Sequence, residues 1–137
     1  MDVGGTFIKS GIMSADGGLV DGSQQTVPID SDGTYEQICN SLTTAVSQGV
    51  ALCRYYGYSH AGVGICMPGP FNYITGVSAM VHKFAAIKDI PLKDTVAEAL
   101  EGLDIPVVFG HDVNTQLYGE MRGGNAVGYG NVCLVAL

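Results

Sequence analysis

Basic side chains are scarce: the 137 residues carry 6 Lys plus Arg against 13 Asp plus Glu, a formal charge of −7. The six never cluster, so the chain has no electrostatic footprint for DNA or RNA, and no nucleic-acid partner is expected for this segment. A small anion is still compatible, because backbone N–H groups bind phosphate without side-chain charge. Neither a signal-peptide pattern nor an apolar run long enough to span a bilayer occurs, so the expectation is a reducing cytoplasm and no membrane partner. Cys39, Cys53, Cys66 and Cys133 lie far apart in apolar neighbourhoods, with no C-x-x-C pair and no zinc spacing to a histidine. Free, mostly buried thiols are expected.

The familiar nucleotide and hydrolase signatures are missing too. There is no Gly-x-x-x-x-Gly-Lys-Ser/Thr loop, no Gly-x-Gly-x-x-Gly fingerprint, no Ser-His-Asp arrangement and no nucleophile elbow. His60, His82 and His111 are too scattered to make a metal site. What is abundant is glycine, 20 residues, many of them between apolar runs where tight turns or close backbone approach are the obvious uses. Apolar residues make up 47 %, enough for one hydrophobic core, so a single α/β domain is expected.

The hydrophobic pattern predicts a β-hairpin from strands over 6–14 and 19–27, turning at Ala15-Asp16-Gly17. A polar link follows, from Pro28 to Gly33. Thr34 then caps a helix running to about Tyr56, because Ile38, Leu42, Ala45, Val46, Leu52, Cys53 and Tyr56 recur at helical steps. AGVGICM (61–67) reads as a central buried strand ended by Pro68-Gly69-Pro70. A small hairpin around Thr75-Gly76, a helix over 92–100 and a buried strand over 105–109 follow. A helix opened by His111-Asp112-Val113-Asn114 runs through Glu120, and 131–137 is read as an apolar strand. The order describes a mixed, layered α/β domain. Both ends look unlike those of a complete domain, and a fragment is expected.

Three places could carry chemistry. Asp2-Val3-Gly4-Gly5-Thr6 sets a carboxylate before a double-glycine turn and a hydroxyl. Such a turn lets N–H groups converge on phosphate oxygens while the carboxylate holds a metal's hydration shell, although composition alone favours an ordinary hairpin turn. Asp112 leaves a buried strand at a helix start, where it can orient a hydroxyl and accept its proton, or simply cap the helix. His111 reads as a ligand contact, a second base or a loop residue. Pro68-Gly69-Pro70 is a rigid turn whose backbone either faces a ligand or only punctuates the strand.

Taken in order, DVGGTFIKSGI, GICMPGPFNYITG, IPLKDTVAEAL and DIPVVFGHDVNTQLYGE resemble the motifs of the ROK family, which groups sugar kinases with sugar-responsive repressors. The resemblance covers nearly the whole chain. It implies an actin-like or ribonuclease-H-like ATPase domain, a mixed sheet with flanking helices, of which these residues are the N-terminal lobe of two. It further implies ATP-dependent phosphorylation of a sugar hydroxyl with Asp112 as the general base. Asp2 would act near Mg²⁺, through water. Gly4, Gly5, Thr6 and Lys9 would face the ATP phosphates, and Gly69, Pro70, His111, Asp112 and Asn114 the sugar. Family members are commonly oligomers, and the Cys-rich zinc loop many of them carry would lie beyond Leu137. Where glucokinase-like members have Asn before the catalytic Asp, this chain has His111, so another hexose or an N-acetylated one stays open. The expected enzyme is a sugar kinase, with residues 1–137 alone inactive. The alternatives are the effector lobe of a sugar-sensing repressor and a non-catalytic interaction domain.

Overall fold

Strands near the N-terminus are short because the chain turns on glycines. In the computed structural model, which describes residues 1–100 and 102–136, Asp2–Val3 (β1) runs into the Gly4-Gly5-Thr6 turn. Phe7–Ser10 (β2) returns antiparallel, with Asp2 opposite Lys9 and Val3 opposite Ile8. Gln25–Pro28 (β3) pairs antiparallel with β2. The hairpin is thus present but its strands are shorter than 6–14 and 19–27, with only a bridge between Met13 and Leu19 in between. A buried serine explains the break: Ser23 Oγ accepts from Ile12 N at 3.0 Å and donates to Val20 O at 2.6 Å, replacing ladder bonds with side-chain ones.

Tyr35–Tyr55 (α1) begins as expected at Thr34. A capping box closes it, with Gln37 N donating to Thr34 Oγ1 and Thr34 N donating to Gln37 Oε1. Ile38, Cys39, Leu42, Ala45, Val46 and Val50 are buried, the stripe that three- and four-residue steps predict. Gly57, with φ +73°, ends the helix region.

Val63–Met67 (β4) and Val107–His111 (β7) are parallel to each other, and β4 is parallel to β1. The five-stranded sheet has the order β3-β2-β1-β4-β7. β7 starts two residues later than the expected 105–109, because Pro106 has no N–H to donate and its carbonyl accepts from Val63 N. Between β4 and β7 come a hairpin of Phe71–Asn72 (β5) and Val77–Ser78 (β6), a short 3₁₀ turn at Ala85–Ile87, and Leu92–Ala99 (α2). Asp112–Gly123 (α3) follows β7 directly. Residues 131–136 are not a strand and join neither sheet among the described residues; apolar character alone does not make a strand without ladder pairing. Leu137 lies outside the described residues.

The register fixes what each face of the sheet carries. One rung runs Thr26, Lys9, Asp2, Cys66, Gly110 across all five strands, and the next begins Val27, Ile8, Val3. Successive rungs point to opposite faces. Val3, Ile8, Val27, Ile65, Met67 and Phe109 are buried with the stripe of α1, with Leu92 and Val96 of α2, and with Phe84 and Ile87. On the other face Phe7 and Val108 stay 48 % and 63 % exposed. The start of α3 lies there, since a Cβ on Gly110 would come within 2.7 Å of Thr115 Oγ1. Among the described residues no helix is long and apolar enough to cross a membrane.

Candidate functional site

Because β1, β4 and β7 are parallel neighbours, their C-terminal ends open on the same edge of the sheet. Asp2, Cys66 and Gly110 share a rung, so the segments leaving just beyond them sit side by side. These are the Gly4-Gly5-Thr6 turn, Pro68-Gly69-Pro70 and His111-Asp112. From β1 to β7 is two strand spacings, about 10 Å. Loops at the C-terminal ends of parallel strands are where open α/β sheets take ligands.

The first turn is built from backbone. Gly4 N donates to Phe7 O at 3.0 Å, and a Cβ on Gly4 would approach that same oxygen to 3.1 Å. The carbonyl of Gly5 accepts from Ser31 N, and that of Thr6 from Ile29 N, both at 3.0 Å. Ser31 O in turn accepts from Phe84 N at 2.7 Å. Phe84 is fully buried and holds φ +54°, unusual for so bulky a residue. The segment read from sequence as a polar link is therefore the brace of the turn, anchored to the core by Phe84. Asp2 and Lys9 are opposite each other on exposed positions of the same rung.

At the other end of this edge, His111 is the N-cap residue of α3 but makes no side-chain cap, and Asp112 is the first helical residue. Asp112 Oδ1 accepts from Val113 N at 2.8 Å and lies 3.2 Å from His111 Nδ1. Both contacts fall on one oxygen. The His111 contact is an ion-pair distance without hydrogen-bond geometry, because Nδ1 is buried and lacks a hydrogen-bond partner among the described residues.

Gly69 and Tyr73 complete this end. A Cβ on Gly69 would lie 3.4 Å from Tyr73 Oη and 3.6 Å from His111 Nε2. Tyr73 packs edge-on against the His111 ring at 5.7 Å, and its hydroxyl donates to Met67 O at 3.3 Å. Burial, and then the Asp112 carboxylate, push the Tyr73 phenol above its ordinary value. Sequence reasoning missed Ser31, Phe84 and Tyr73. Only Tyr73 carried a local signal, an aromatic three residues after the Pro-Gly-Pro turn.

Gly69, His111 and Asp112 are thus brought together. The carbonyl of Pro70 is used within the neighbouring hairpin region, accepting from Ala79 N at 3.0 Å, and Asn114 is an exposed residue of α3. His60 is remote, its Nε2 3.1 Å from Val50 O, and His82 is exposed. All four cysteines are free, but only Cys39 is buried and Cys133 is exposed, a correction to the expectation of mostly buried thiols. Among the described residues no group of three or more His, Cys, Asp or Glu is placed to hold a metal ion. Asp2 fits the lesser role expected of it, a single carboxylate for a largely hydrated Mg²⁺ that keeps its waters and phosphate ligands. A cleft of about 590 Å³ between α1 and α2, lined by Tyr35, Cys39, Asp94 and Thr95 among others, contains none of these strand-end residues.

The glycine turn, the Pro-Gly-Pro turn and the carboxylate at a helix start share one parallel-sheet edge, and comparison with known proteins gives the family to which this fold belongs. The chain belongs to the ROK family, whose model matches residues 1–137. It is 32 % identical over 139 aligned positions to a glucokinase of Streptomyces coelicolor, covering all of this chain and 39 % of that protein. A glucokinase of Halalkalibacterium halodurans is 27 % identical, with 40 % of its length covered. The ROK hexokinase of Thermus thermophilus superposes with a TM-score of 0.72 at 26 % identity, over 93 % of this chain and 39 % of that one. The inorganic polyphosphate/ATP-glucomannokinase of Arthrobacter sp. strain KM shares the fold, with a TM-score of 0.71 at 23 % identity, over 93 % and 49 % of the two chains. The mixed sheet with flanking helices is therefore the actin-like ATPase fold of ROK sugar kinases. The chain spans about two fifths of the length of the curated relatives it matches.

Proposed function

We propose that the polypeptide bearing these residues transfers the γ-phosphoryl group of ATP to a hydroxyl of a hexose or N-acetylated hexose, with Asp112 as general base. The observation that carries this reading is the shared edge, where Asp112 stands about two strand spacings from the Gly4-Gly5-Thr6 turn. Val113 N and His111 both occupy Oδ1 of Asp112. The other oxygen is then the one to meet the sugar hydroxyl and take its proton as the hydroxyl oxygen attacks phosphorus and the bond to ADP breaks. Gly5 and Thr6 offer N–H groups to the phosphates, with Lys9 as a nearby cation. Mg²⁺, held through water at Asp2, would neutralise charge on the phosphate oxygens. Gly69, Pro70, His111 and Asn114 face the sugar in this reading.

The test is sugar-dependent ADP release by the full-length polypeptide, across hexoses, aminosugars and N-acetylated sugars. Release is expected with at least one sugar, and Asp112→Asn should lower kcat by about 10²–10⁴-fold. Saturable sugar binding without release would instead make this the effector lobe of a sugar sensor. Residues 1–137 alone should not turn over.

A further inference from the structure

The side chain that occupies the space over Gly69 is neither a base nor a phosphate ligand. Tyr73 comes from the segment after β5, yet its ring meets the His111 imidazole edge-on at 5.7 Å and its hydroxyl reaches back to Met67 O. It is also stacked into the core, 5.2 Å from Phe71, whose ring lies 5.3 Å from Phe109 of β7. An aromatic series therefore runs from the interior of the sheet to His111, whose Nδ1 is buried and lacks a hydrogen-bond partner among the described residues. The Nδ1 contact with Asp112 Oδ1, 3.2 Å without hydrogen-bond geometry, leaves part of the ring's orientation to its packing neighbours. Tyr73 is the ring in contact with it.

We propose that Tyr73 is a positioning residue for His111, holding the imidazole so that Nε2 faces the sugar beside Asp112. The side of the ring that looks toward Gly69 carries Nε2 and Cδ2, 3.6 and 3.7 Å from where a Cβ on Gly69 would stand. A flat imidazole clamped there presents one polar atom and a fixed edge. A tilted ring would intrude on the space that the glycine leaves open. Tyr73 thereby selects among sugars by shape at the acceptor end, without touching the phosphates. This rests on the kinase reading of the same site.

The experiment is a double-mutant cycle in the full-length polypeptide, with Tyr73→Leu, His111→Asn and the pair, read as sugar KM, ATP KM and kcat. Removing the clamping ring should raise sugar KM by about 10-fold or more, since small misplacements of a positioning group are costly. ATP KM should stay within about twofold, as uniform loss of sugar binding requires. In the His111→Asn background the same change should cost little, because the ring being held is gone. Tyr73→Phe, which keeps the edge-on contact, should restore near wild-type sugar KM. Equal losses in both backgrounds, or parallel losses in ATP KM, overturn the proposal. Should Tyr73→Leu fail to fold, ¹H NMR of the wild-type chain decides. Ring protons of His111 displaced from their free-histidine positions by the Tyr73 ring current support the clamp, and undisplaced ones overturn it. A wild type inert toward every sugar removes the kinase reading and the proposal together. Activity that depends on Asp112 but ignores Tyr73 removes the proposal alone.

Discussion

The two faces of the central sheet are made by the same strands and behave as different materials. One face collects Val3, Ile8, Val27, Ile65, Met67 and Phe109, all buried beneath α1 and α2. The other carries Thr26, Lys9, Asp2, Cys66 and Gly110 on a single rung, with Phe7 and Val108 left largely exposed. Strand alternation separates what holds the fold from what can meet a ligand. The covered face gains from large apolar side chains. The other has room for small or charged ones, and Gly110 lets the start of α3 come close. Substitutions on the two faces should therefore fail in different ways.

The largest effect is expected where the covered face supports the site. Phe84→Ala empties a fully buried position and should cost about 3–5 kcal/mol in urea unfolding. Its backbone N–H also holds Ser31 O, and Ser31 N holds the Gly5 carbonyl, so nucleotide affinity of the full-length polypeptide should fall with it. A loss below about 1 kcal/mol would break the comparison, because the covered face would then not be the one that carries stability.

Next comes Gly76, between β5 and β6. It has φ +75°, and a Cβ there would meet Phe109 Cε2 and Lys93 Cγ, both at 3.0 Å. Gly76→Ala combines left-handed strain with a clash against a core aromatic, and a loss of about 1–3 kcal/mol is expected by thermal or urea unfolding. An unchanged midpoint would mean that Phe109 yields freely, and that the aromatic series behind Tyr73 is not rigid.

Much of this architecture was legible. Thr34 with Gln37, the buried stripe of α1, the apolar run of β4 and the Thr75-Gly76 turn are local patterns, and local patterns survive into the fold. The candidate residues Asp2, Gly69 and Asp112 were also legible, as turn and strand-exit signals that matched a family order. What could not be read is whatever depends on pairing. β7 starts two residues later because Pro106 cannot donate, and 131–136 does not join the sheet among the described residues. The brace from Gly5 through Ser31 to Phe84 joins three distant segments, and Phe84 looks like any core aromatic until its φ is known. Tyr73 is similar: nothing in its sequence neighbourhood says that its ring ends against His111.

A smaller effect should come from the cap of α1, the helix that covers the buried face. Thr34→Ala removes the acceptor for Gln37 N and leaves Gln37 Oε1 as the remaining half of the box. A loss of about 1 kcal/mol in urea unfolding is expected. A loss of several kcal/mol would show that the helix depends on its cap more than on its buried stripe, and would shift the source of stability away from the sheet face.

The smallest expected effect is the most direct test of the difference between faces. Val108 is flanked in the strand by Val107 and Phe109, and sequence alone gives no reason to treat these three residues unlike one another. The register sets Val108 opposite Gly64 on the face where it is 63 % exposed, and Phe109 opposite Ile65 on the buried one. Val108→Ser should therefore change unfolding free energy by no more than about 0.5 kcal/mol, the range of ordinary surface substitutions. A serine there removes two methyl groups that solvent already reaches, so little apolar burial is lost. A loss of 2 kcal/mol or more would mean that the face is covered in solution, and a dependence of that loss on protein concentration would identify the cover as a second copy of the chain. With neither, the face is open, and the apolar side chains of one strand divide into those that hold the fold and those that do not.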